Sequence, residues 1–190
     1  MKKLKRFAAL FLSIALAFSL AACAGAKDQP DDAGEFTEGT KLGDFTTQDI
    51  SGNDVDQSIF AGRRLTLVNV MATWCTPCVE EFPALEQLRR ELEEEGVGVV
   101  AFVTDTRGED SVDADALDSA KTLAERTEVQ FPLLVPDETL LGGKLNSVTA
   151  FPTSFFVDET GTIVGDAFSG AYTAGEWADL AREQLEKLED

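Results

Sequence analysis

Trp74-Cys75-Thr76-Pro77-Cys78 is the stretch that decides the fold of this 190-residue chain. It follows an apolar run over residues 65–70 and precedes a helical pattern of apolar residues. Two cysteines separated by two residues at such a strand-to-helix junction are typical of redox-active dithiols. The first sulfur then lies at a helix N-terminus, where free N–H groups and the helix dipole favour a thiolate. Pro77 suits the first turn because an N–H group there has no intrahelical partner to lose.

Three interpretations of the cysteine pair stay open at this point. A zinc site needs more ligands, and the chain has no histidine and only three cysteines, so no second pair. A permanently closed structural disulfide is compatible with an exported protein. A catalytic dithiol accounts best for the position before a helix. Such a dithiol is itself the redox centre, so we expect no cofactor and no metal.

The composition predicts one compact domain with a strongly acidic surface. Hydrophobic residues make up 44% of the chain, which is enough for a sizeable core. The chain carries 35 acidic and 16 basic residues, a formal net charge of −19. Nucleic acid is excluded as a partner by this balance, because phosphates would be repelled. A well-solvated surface is the simplest role for the excess of carboxylates.

Residues 1–22 have the features of a lipoprotein signal peptide. A basic start, Met1 to Arg6, precedes an apolar stretch of 14 residues from Phe7 to Leu20. That length fits a signal-peptide core and is shorter than the roughly 20 residues of a membrane-spanning helix. The following Leu20-Ala21-Ala22-Cys23 resembles the lipobox of bacterial lipoproteins. This resemblance implies cleavage before Cys23, lipid attachment to its thiol, and a location on the extracytoplasmic face of the cell membrane. An ordinary secretory signal with a chance cysteine is the alternative.

Removal of the signal peptide has two consequences for the mature protein. Four of the 16 basic residues and none of the 35 acidic ones are lost, so the net charge changes from −19 to −23. With Cys23 acylated, Cys75 and Cys78 are the only thiols. Residues 24–40 are small, polar and acidic, and they predict a flexible tether. Seventeen such residues span on the order of 20–25 Å.

The pattern from Phe45 onwards alternates between strands and helices. A first hairpin is predicted across Ser51-Gly52-Asn53-Asp54 and a second across Asp158-Glu159-Thr160-Gly161. The remaining elements are predicted strands at 65–70, 97–104 and 131–135, a helix from the cysteines to Glu95, and helices at 115–127, 139–145 and 173–188. This order predicts an α/β domain with a central mixed sheet.

Residues 45–188 resemble the thioredoxin superfamily. More narrowly, they resemble its membrane-anchored TlpA/ResA-like thiol–disulfide oxidoreductases. The resemblance rests on the cysteine motif, on Glu81-Phe82-Pro83 behind it, and on Phe151-Pro152-Thr153 before a strand. The long stretch between Val97 and Phe131 resembles the extra strand and helix of that branch. The implied fold is three-layered, with a central mixed sheet, an N-terminal hairpin extension and an inserted strand–helix segment.

The resemblance also implies roles for individual residues. Cys75 would be the attacking nucleophile and Cys78 the buried resolving thiol. Pro152 would follow a cis peptide bond facing the disulfide, and Trp74 would shield the sulfurs. A substrate segment would contact the residues around the disulfide, which are Trp74, Thr76, Pro77, Phe151 and Pro152.

One departure from cytosolic thioredoxins points to Glu81. Those proteins carry an aspartate six residues before the first cysteine, and this chain has Asn69 there. Glu81 shares a helical stripe with Leu85, Leu88 and Leu92, so we expect its carboxylate to face the core near Cys78. Such a carboxylate can accept the proton of Cys78. The alternative is a first-turn charge that only interacts with the helix dipole.

Two other classes on this fold fit less well. Peroxiredoxins require a threonine three residues before the reactive cysteine, where this chain has Ala72. Copper chaperones on this fold use wider cysteine spacing and a histidine. We therefore divide the chain into residues 1–22 as signal peptide, 23–40 as lipidated cysteine and acidic tether, and 41–190 as the thioredoxin-like domain.

The sequence also suggests partners. By family resemblance the substrates are exported proteins with disulfides, such as cytochrome c precursors or an extracellular methionine sulfoxide reductase. A membrane thiol donor would supply electrons, and the lipid on Cys23 would attach the protein to the membrane. The alternatives are a disulfide-forming oxidase on the same fold and a non-catalytic binding lipoprotein with a closed disulfide.

Overall fold

The alternating pattern folds into a central sheet with helices, as described by a computed structural model for residues 36–108 and 111–189. The strands are β1 (Thr46–Asp49), β2 (Asp54–Asp56), β3 (Leu65–Met71), β4 (Val97–Val103), β5 (Leu133–Val135), β6 (Thr153–Val157) and β7 (Ile163–Ser169). The α-helices of these residues are α1 (Thr76–Glu91), α2 (Ala114–Thr127), α3 (Glu138–Gly142) and α4 (Ala174–Lys187).

The sheet is mixed, in the order β2-β1-β5-β4-β3-β6-β7. The three central strands β5, β4 and β3 run parallel, and every other neighbouring pair is antiparallel. Strands β3 and β4 therefore end at the same edge, and the cysteine motif follows β3 there. Both predicted hairpins are present, as β1–β2 and β6–β7. This is the predicted three-layer, thioredoxin-like fold.

Alternation along β3 divides the core between two faces of the sheet. Leu65, Leu67 and Met71 pack with α1, α2 and α4 on one face. Val68 and Val70 face the other side, which α3 and the N-terminal segment cover. Asn69 lies at a position whose neighbours two residues away both face the helices. An amide is therefore placed beneath α1, and this places Asn69 within reach of Glu81.

The ordered contacts of the domain begin at least as early as Phe36. The ring of Phe36 packs on that of Phe155, with centroids 4.5 Å apart. The N–H group of Gly39 donates to the carbonyl of Ile163 at 2.9 Å, and Leu42 is buried. The last residues of the predicted tether thus contribute to the core opposite the helices. The predictions for residues 1–22, for Cys23 and for the tether up to residue 35 lie outside the described residues.

Helix α1 ends earlier than predicted, at Glu91 instead of Glu95. Leu92 leaves the helical region, with φ −108° and ψ 12°, and residues 93–95 are exposed. These exposed residues offer no apolar side chain that would hold a further turn on the sheet. Gly96 has φ +83°, a conformation that glycine adopts without strain, and it directs the chain into β4. The predicted end of this helix, Glu95, was therefore wrong by four residues.

Helices α2 and α4 begin at capping side chains. The Asp113 carboxylate accepts hydrogen bonds from the N–H groups of Asp115 and Ala116, at 3.0 and 2.9 Å. Thr173 and Glu176 form a capping box at the start of α4. Asp113 belongs to the acidic segment of residues 105–118, and its carboxylate is occupied by the helix that it caps.

Candidate active site

The two cysteines form a disulfide at the start of α1, with their Cα atoms 5.4 Å apart. Cys75 is the residue that caps the helix, and its Sγ accepts a hydrogen bond from the N–H group of Cys78 at 3.3 Å. Pro77 occupies the first turn, as predicted. The first sulfur therefore lies where the helix dipole and free N–H groups stabilise a thiolate once the disulfide opens.

The surroundings of the two sulfurs differ. Cys75 is 5% exposed and Cys78 is fully buried. Trp74, directly before the pair, is 70% exposed, and its ring lies edge-on to that of Phe151 with centroids 5.7 Å apart. Thr76 is exposed as well. A partner can thus approach from the side of Cys75 and meet an aromatic surface there.

The peptide bond between Phe151 and Pro152 is cis, which confirms that prediction. The next residue, Thr153, pairs with Val70 at the end of β3. Pro152 is therefore close to the segment that leads into the cysteine motif, and its carbonyl accepts a hydrogen bond from Gly170 at 2.9 Å. The part that Pro152 takes in substrate binding stays a prediction.

Glu81 is buried, 3% exposed, and three groups donate hydrogen bonds to its carboxylate. Its Oε1 accepts from the N–H group of Tyr172 at 2.8 Å and from the indole Nε1 of Trp177 at 2.9 Å. Its Oε2 accepts from the amide Nδ2 of Asn69 at 3.2 Å. The inward orientation predicted from the helical stripe is thereby confirmed, and Cys78 lies one turn earlier on the same face of α1.

Burial raises the pKa of Glu81 above the ordinary glutamate value, because a charged carboxylate loses its hydration. The hydrogen bonds from Tyr172, Trp177 and Asn69 oppose this increase. The predicted direction is confirmed. A carboxylate with a raised pKa binds a proton more readily than an ordinary one and is suited to proton exchange with a neighbouring thiol.

The loop after β4 holds the segment before the cysteines. The carboxylate of Asp105 accepts hydrogen bonds from the N–H group of Thr73, at 3.0 and 3.1 Å, and from its hydroxyl at 2.5 Å. The hydroxyl of Thr104 donates to the carbonyl of Met71 at 3.0 Å. The carboxyl ends of the parallel strands β3 and β4 are thus joined, and this fixes the backbone that carries Trp74.

A cavity of about 420 Å³ lies between Trp74 and helix α2. The residues that line it are Thr73, Trp74, Asp118, Ser119, Thr122, Leu123 and Arg126. Asp115 is exposed one turn from Asp118 on the same helix. A cavity of about 540 Å³ lies elsewhere, beside Pro83 and Glu86, but the cavity at Trp74 borders the cysteine motif.

Sequence reasoning did not identify Tyr172 and Trp177, which donate hydrogen bonds to Glu81, or Ser154, which holds Asn69. Tyr172 and Trp177 are more than 90 positions from Glu81 along the chain, and the amphipathic pattern of α4 shows only that Trp177 faces the core. A buried tryptophan normally donates its N–H group to an acceptor, so Trp177 in the apolar face of α4 indicated that a buried acceptor lies nearby. Ser154, whose hydroxyl accepts from Asn69, carries no distinctive sequence signal.

Two further properties concern the described residues alone. Residues 36–108 and 111–189 include no helix with the length and apolar character needed to cross a membrane. Within the same ranges, no cluster of three or more histidine, cysteine, aspartate or glutamate side chains is arranged to hold a metal ion.

Known proteins resemble this chain over most of its length. The profile of the AhpC/TSA family matches residues 39–165. The thioredoxin-like protein YneN of Bacillus subtilis (strain 168) is 31% identical over 140 residues, which cover 73% of this chain and 75% of YneN. The thiol-disulfide oxidoreductase ResA of Bacillus cereus (strain ATCC 10987 / NRS 248) is 28% identical over 159 residues, 82% of this chain and 80% of ResA. A thiol:disulfide interchange protein from Chlorobium tepidum TLS has a similar crystal structure, with a TM-score of 0.62 and 21% identity over 78% of this chain and 98% of that one.

The fold, the disulfide at the start of α1 and these relatives define a thioredoxin-like thiol–disulfide oxidoreductase of the ResA type. The chain belongs to the AhpC/TSA family. The distinction from peroxiredoxins rests on Ala72, which is buried beside the motif, and it stays a prediction.

Proposed function

We propose that this protein reduces disulfides of exported proteins through a mixed disulfide on Cys75, which Cys78 then resolves. The observation that carries the proposal is the Cys75–Cys78 disulfide at the N-terminus of α1. Two further features support it, namely the cis bond before Pro152 and the buried carboxylate of Glu81 one turn along α1.

The cap position supports Cys75 as the nucleophile. In the disulfide form its sulfur accepts a hydrogen bond from the N–H group of Cys78 at the positive end of the helix dipole. The same N–H group and dipole would stabilise a thiolate at this sulfur after reduction. Cys78 is fully buried and has no comparable position. The thiolate is the reactive form in thiol–disulfide exchange, so attack on a partner begins at Cys75.

The reaction then proceeds in two exchanges. The Cys75 thiolate attacks one sulfur of the partner's disulfide, a new S–S bond forms, and the other partner sulfur leaves as a thiolate. Cys78 loses its proton and attacks Cys75, which releases the second partner thiolate and closes the Cys75–Cys78 disulfide. Two electrons pass from the protein to the partner. A thiol donor must reduce Cys75–Cys78 again, and a membrane thiol protein is the donor class that the family resemblance suggests.

Glu81 is the proton acceptor for Cys78 in this scheme. Asn69 occupies the place of the thioredoxin aspartate and cannot titrate. Glu81 lies three residues after Cys78 on the same helix face, and burial raises its pKa. A general base at this position lets Cys78 attack without a prior equilibrium to the free thiolate. The dithiol and this carboxylate suffice for the chemistry, so the proposal includes no metal and no other cofactor.

The residues around Cys75 form the substrate surface; Trp74, Thr76 and Pro77 are exposed, whereas Phe151 is half-buried and Pro152 is buried. Trp74 and Phe151 offer an aromatic edge, Thr76 and Pro77 are exposed on the first turn of α1, and Pro152 lies before β6. A partner segment that lies across these residues brings its disulfide to the sulfur of Cys75. By family resemblance, cytochrome c precursors and an extracellular methionine sulfoxide reductase are the partner classes.

The acidic side chains of α2 contribute to partner choice. The carboxylate of Asp105 already accepts hydrogen bonds from Thr73, and that of Asp113 accepts them from N–H groups in the first turn of α2. Asp115 and Asp118 are exposed, and Asp118 lines the cavity beside Trp74. Asp118 is therefore available to a partner that enters the cavity, and Asp115 to a partner that lies along the exposed start of α2. Asp110, another acidic residue of the segment before α2, lies outside the described residues.

The proposed location is the extracytoplasmic face of the cell membrane, with the lipid on Cys23 as anchor. The lipobox-like Leu20-Ala21-Ala22-Cys23 after an apolar stretch supports this placement. Acylation of Cys23 would also leave Cys75 and Cys78 as the only thiols of the mature protein.

Trapping of the mixed disulfide tests the proposal. With Cys23→Ser as background, Cys78→Ser should accumulate a covalent adduct with a disulfide peptide through Cys75, seen by mass spectrometry and lost on reduction. Cys75→Ser in the same background is the matched control and should give no adduct. Equal adducts on both variants would show that the roles of the two cysteines are wrong, and none on either would contradict the proposed exchange.

A further inference from the structure

The carboxylate of Glu81 has one lone-pair position that no donor occupies among its described contacts. A carboxylate offers about four such positions, two on each oxygen. Oε1 accepts two hydrogen bonds, from Tyr172 and Trp177, so both of its positions are filled. Oε2 accepts one, from Asn69. The fourth position therefore lies on Oε2.

Asn69 is itself held in place. Its Nδ2 donates to Oε2 of Glu81 at 3.2 Å and to Oγ of Ser154 at 2.9 Å, so both of its amide hydrogens are used. Ser154 stands directly across from Asn69 in the β3–β6 pair. Both residues are fully buried. The contact to an ionised carboxylate, which only accepts, determines which end of the amide faces Glu81.

The amide is an unfavourable choice for packing alone. Its carbonyl Oδ1 is buried without a hydrogen-bond partner in the described part of the chain. An apolar side chain of similar volume would avoid this cost at a central strand position. The donor function toward Glu81 is the benefit that offsets the unpaired carbonyl.

From this arrangement we infer that Asn69, held by Ser154, is a positioning residue that directs proton exchange to Oε2 of Glu81. The inference rests on the proposed role of Glu81 as proton acceptor. During resolution the S–H bond of Cys78 breaks, its proton passes to Oε2, and the sulfur forms the bond to Cys75. Tyr172 and Trp177 anchor Oε1, and Asn69 fixes the rotation of the carboxylate about that anchor.

The hydrogen-bond partners of Glu81 are neutral groups that do not exchange a proton with it. Its contacts are a backbone N–H group, an indole and a carboxamide, all of them neutral donors. Of its described hydrogen-bond partners, Tyr172 has a titratable side chain but contacts Glu81 through its backbone N–H group. The neighbouring carboxylates Glu80 on α1 and Glu176 on α4 are exposed, and the buried Glu86 on α1 is paired with Arg89 and Arg90. A change in the titration of Glu81 therefore reports on its donors and on the redox state of the cysteines.

The test uses Asn69→Leu, which keeps the approximate volume, and the milder Ser154→Ala, which removes only the anchor of the amide. Thr66→Val is the matched control on β3, because the buried hydroxyl of Thr66 has no hydrogen-bond partner in the described part of the chain. The Glu81 carboxyl is titrated by ¹³C NMR in the oxidised protein, where no exchange chemistry occurs. The rate of resolution is measured separately with a peptide mixed disulfide on Cys75.

Loss of a donor to the charged form should raise the pKa of Glu81 in Asn69→Leu and, to a smaller extent, in Ser154→Ala. A more basic acceptor would speed the reaction if placement did not matter. We instead expect resolution to slow by about 10-fold to 100-fold, the effect of a misplaced reacting group. Thr66→Val should change neither value.

An unchanged titration of Glu81 in both variants would overturn the inference, as would a raised pKa with an unchanged or faster rate. Should Asn69→Leu fail to fold, Ser154→Ala decides by the same two measurements. Failure of the dithiol exchange itself would appear in the trapping experiment, which does not involve Asn69. The two proposals can therefore fail separately.

Discussion

Glu81→Gln removes titration from the buried site and keeps almost the same shape. The carboxamide oxygen can still accept from Tyr172 and Trp177, which hold Oε1 in the native protein. The amide nitrogen then faces Asn69, whose unpaired Oδ1 can accept from it after the Asn69 amide rotates. The fold should therefore persist, and only the proton acceptor is lost.

The expected kinetic effect follows from the loss of a general base. A positioned base contributes about 10²-fold to 10⁴-fold, so resolution at pH 6.5 should slow by about that factor. Without the base, the reaction depends on free thiolate. Below its pKa, a thiol gains about tenfold in thiolate with each pH unit. The rate of the variant should thus rise by up to about 100-fold between pH 6.5 and 8.5, whereas the native rate levels off once Glu81 is ionised.

The same substitution has a predicted effect on stability. Because burial raises the pKa of Glu81 in the folded state, the folded protein binds this proton more tightly than the unfolded chain. The stability that Glu81 contributes is fully present below its pKa in the unfolded chain, about 4.3. It is lost as the pH rises through the higher pKa of Glu81 in the folded protein. Glu81→Gln should therefore be slightly more stable than the native protein at pH 7, with a difference that shrinks toward pH 4.

Stopped-flow mixing of the reduced protein with a disulfide peptide from pH 5 to 9 measures the rates, and urea unfolding at pH 4 and 7 measures stability. Glu80→Gln is the matched control, because Glu80 is the exposed neighbour on the same turn. Identical pH profiles for native protein and Glu81→Gln would refute the proton-acceptor role and leave Glu81 as a buried structural carboxylate.

Two further predictions concern charged side chains. Hydrogen bonds from Arg89, Gln130 and Arg90 outweigh desolvation and lower the pKa of Glu86 to about 2. The stability that the ionised Glu86 contributes is fully present above its pKa in the unfolded chain, about 4.3, and is lost as the pH falls toward 2. Glu86→Gln should therefore lower the free energy of unfolding by about 1–3 kcal/mol at pH 7 but not at pH 2; equal unfolding midpoints at pH 7 would contradict this. The double change Asp115→Asn with Asp118→Asn should slow exchange with the physiological partner and leave exchange with dithiothreitol unchanged; unchanged partner kinetics would make these carboxylates an ordinary solvated surface.

The local parts of the site were predictable because their signals lie close together in the chain. Cys75 and Cys78 are three residues apart, and the position of Glu81 on the apolar stripe of α1 follows from helical geometry. The cis bond before Pro152 came from the family resemblance and not from the residues themselves, since X-Pro bonds are usually trans.

The parts that could not be predicted depend on tertiary contacts. Trp177 and Tyr172 reach Glu81 from the far end of the chain, and the amphipathic pattern of α4 does not indicate which buried acceptor they meet. The bond between Asp105 and Thr73 likewise forms because β3 and β4 end at the same edge of the sheet. Two carboxylates of the acidic segment 105–118 have similar supporting contacts, Asp105 with Thr73 and Asp113 with the first turn of α2.

Equilibration of the protein in thiol–disulfide buffers of known potential tests the central claim most directly. With Cys23→Ser as background, the fraction of reduced Cys75–Cys78 is quantified by alkylation and mass spectrometry. A reductant of exported proteins should give a reversible two-electron transition toward the −270 mV end of the superfamily range, which extends to about −120 mV. A transition near −120 mV would contradict the reducing direction and indicate an oxidase. A pair that stays closed below about −300 mV would contradict the redox role altogether and mark the disulfide as structural.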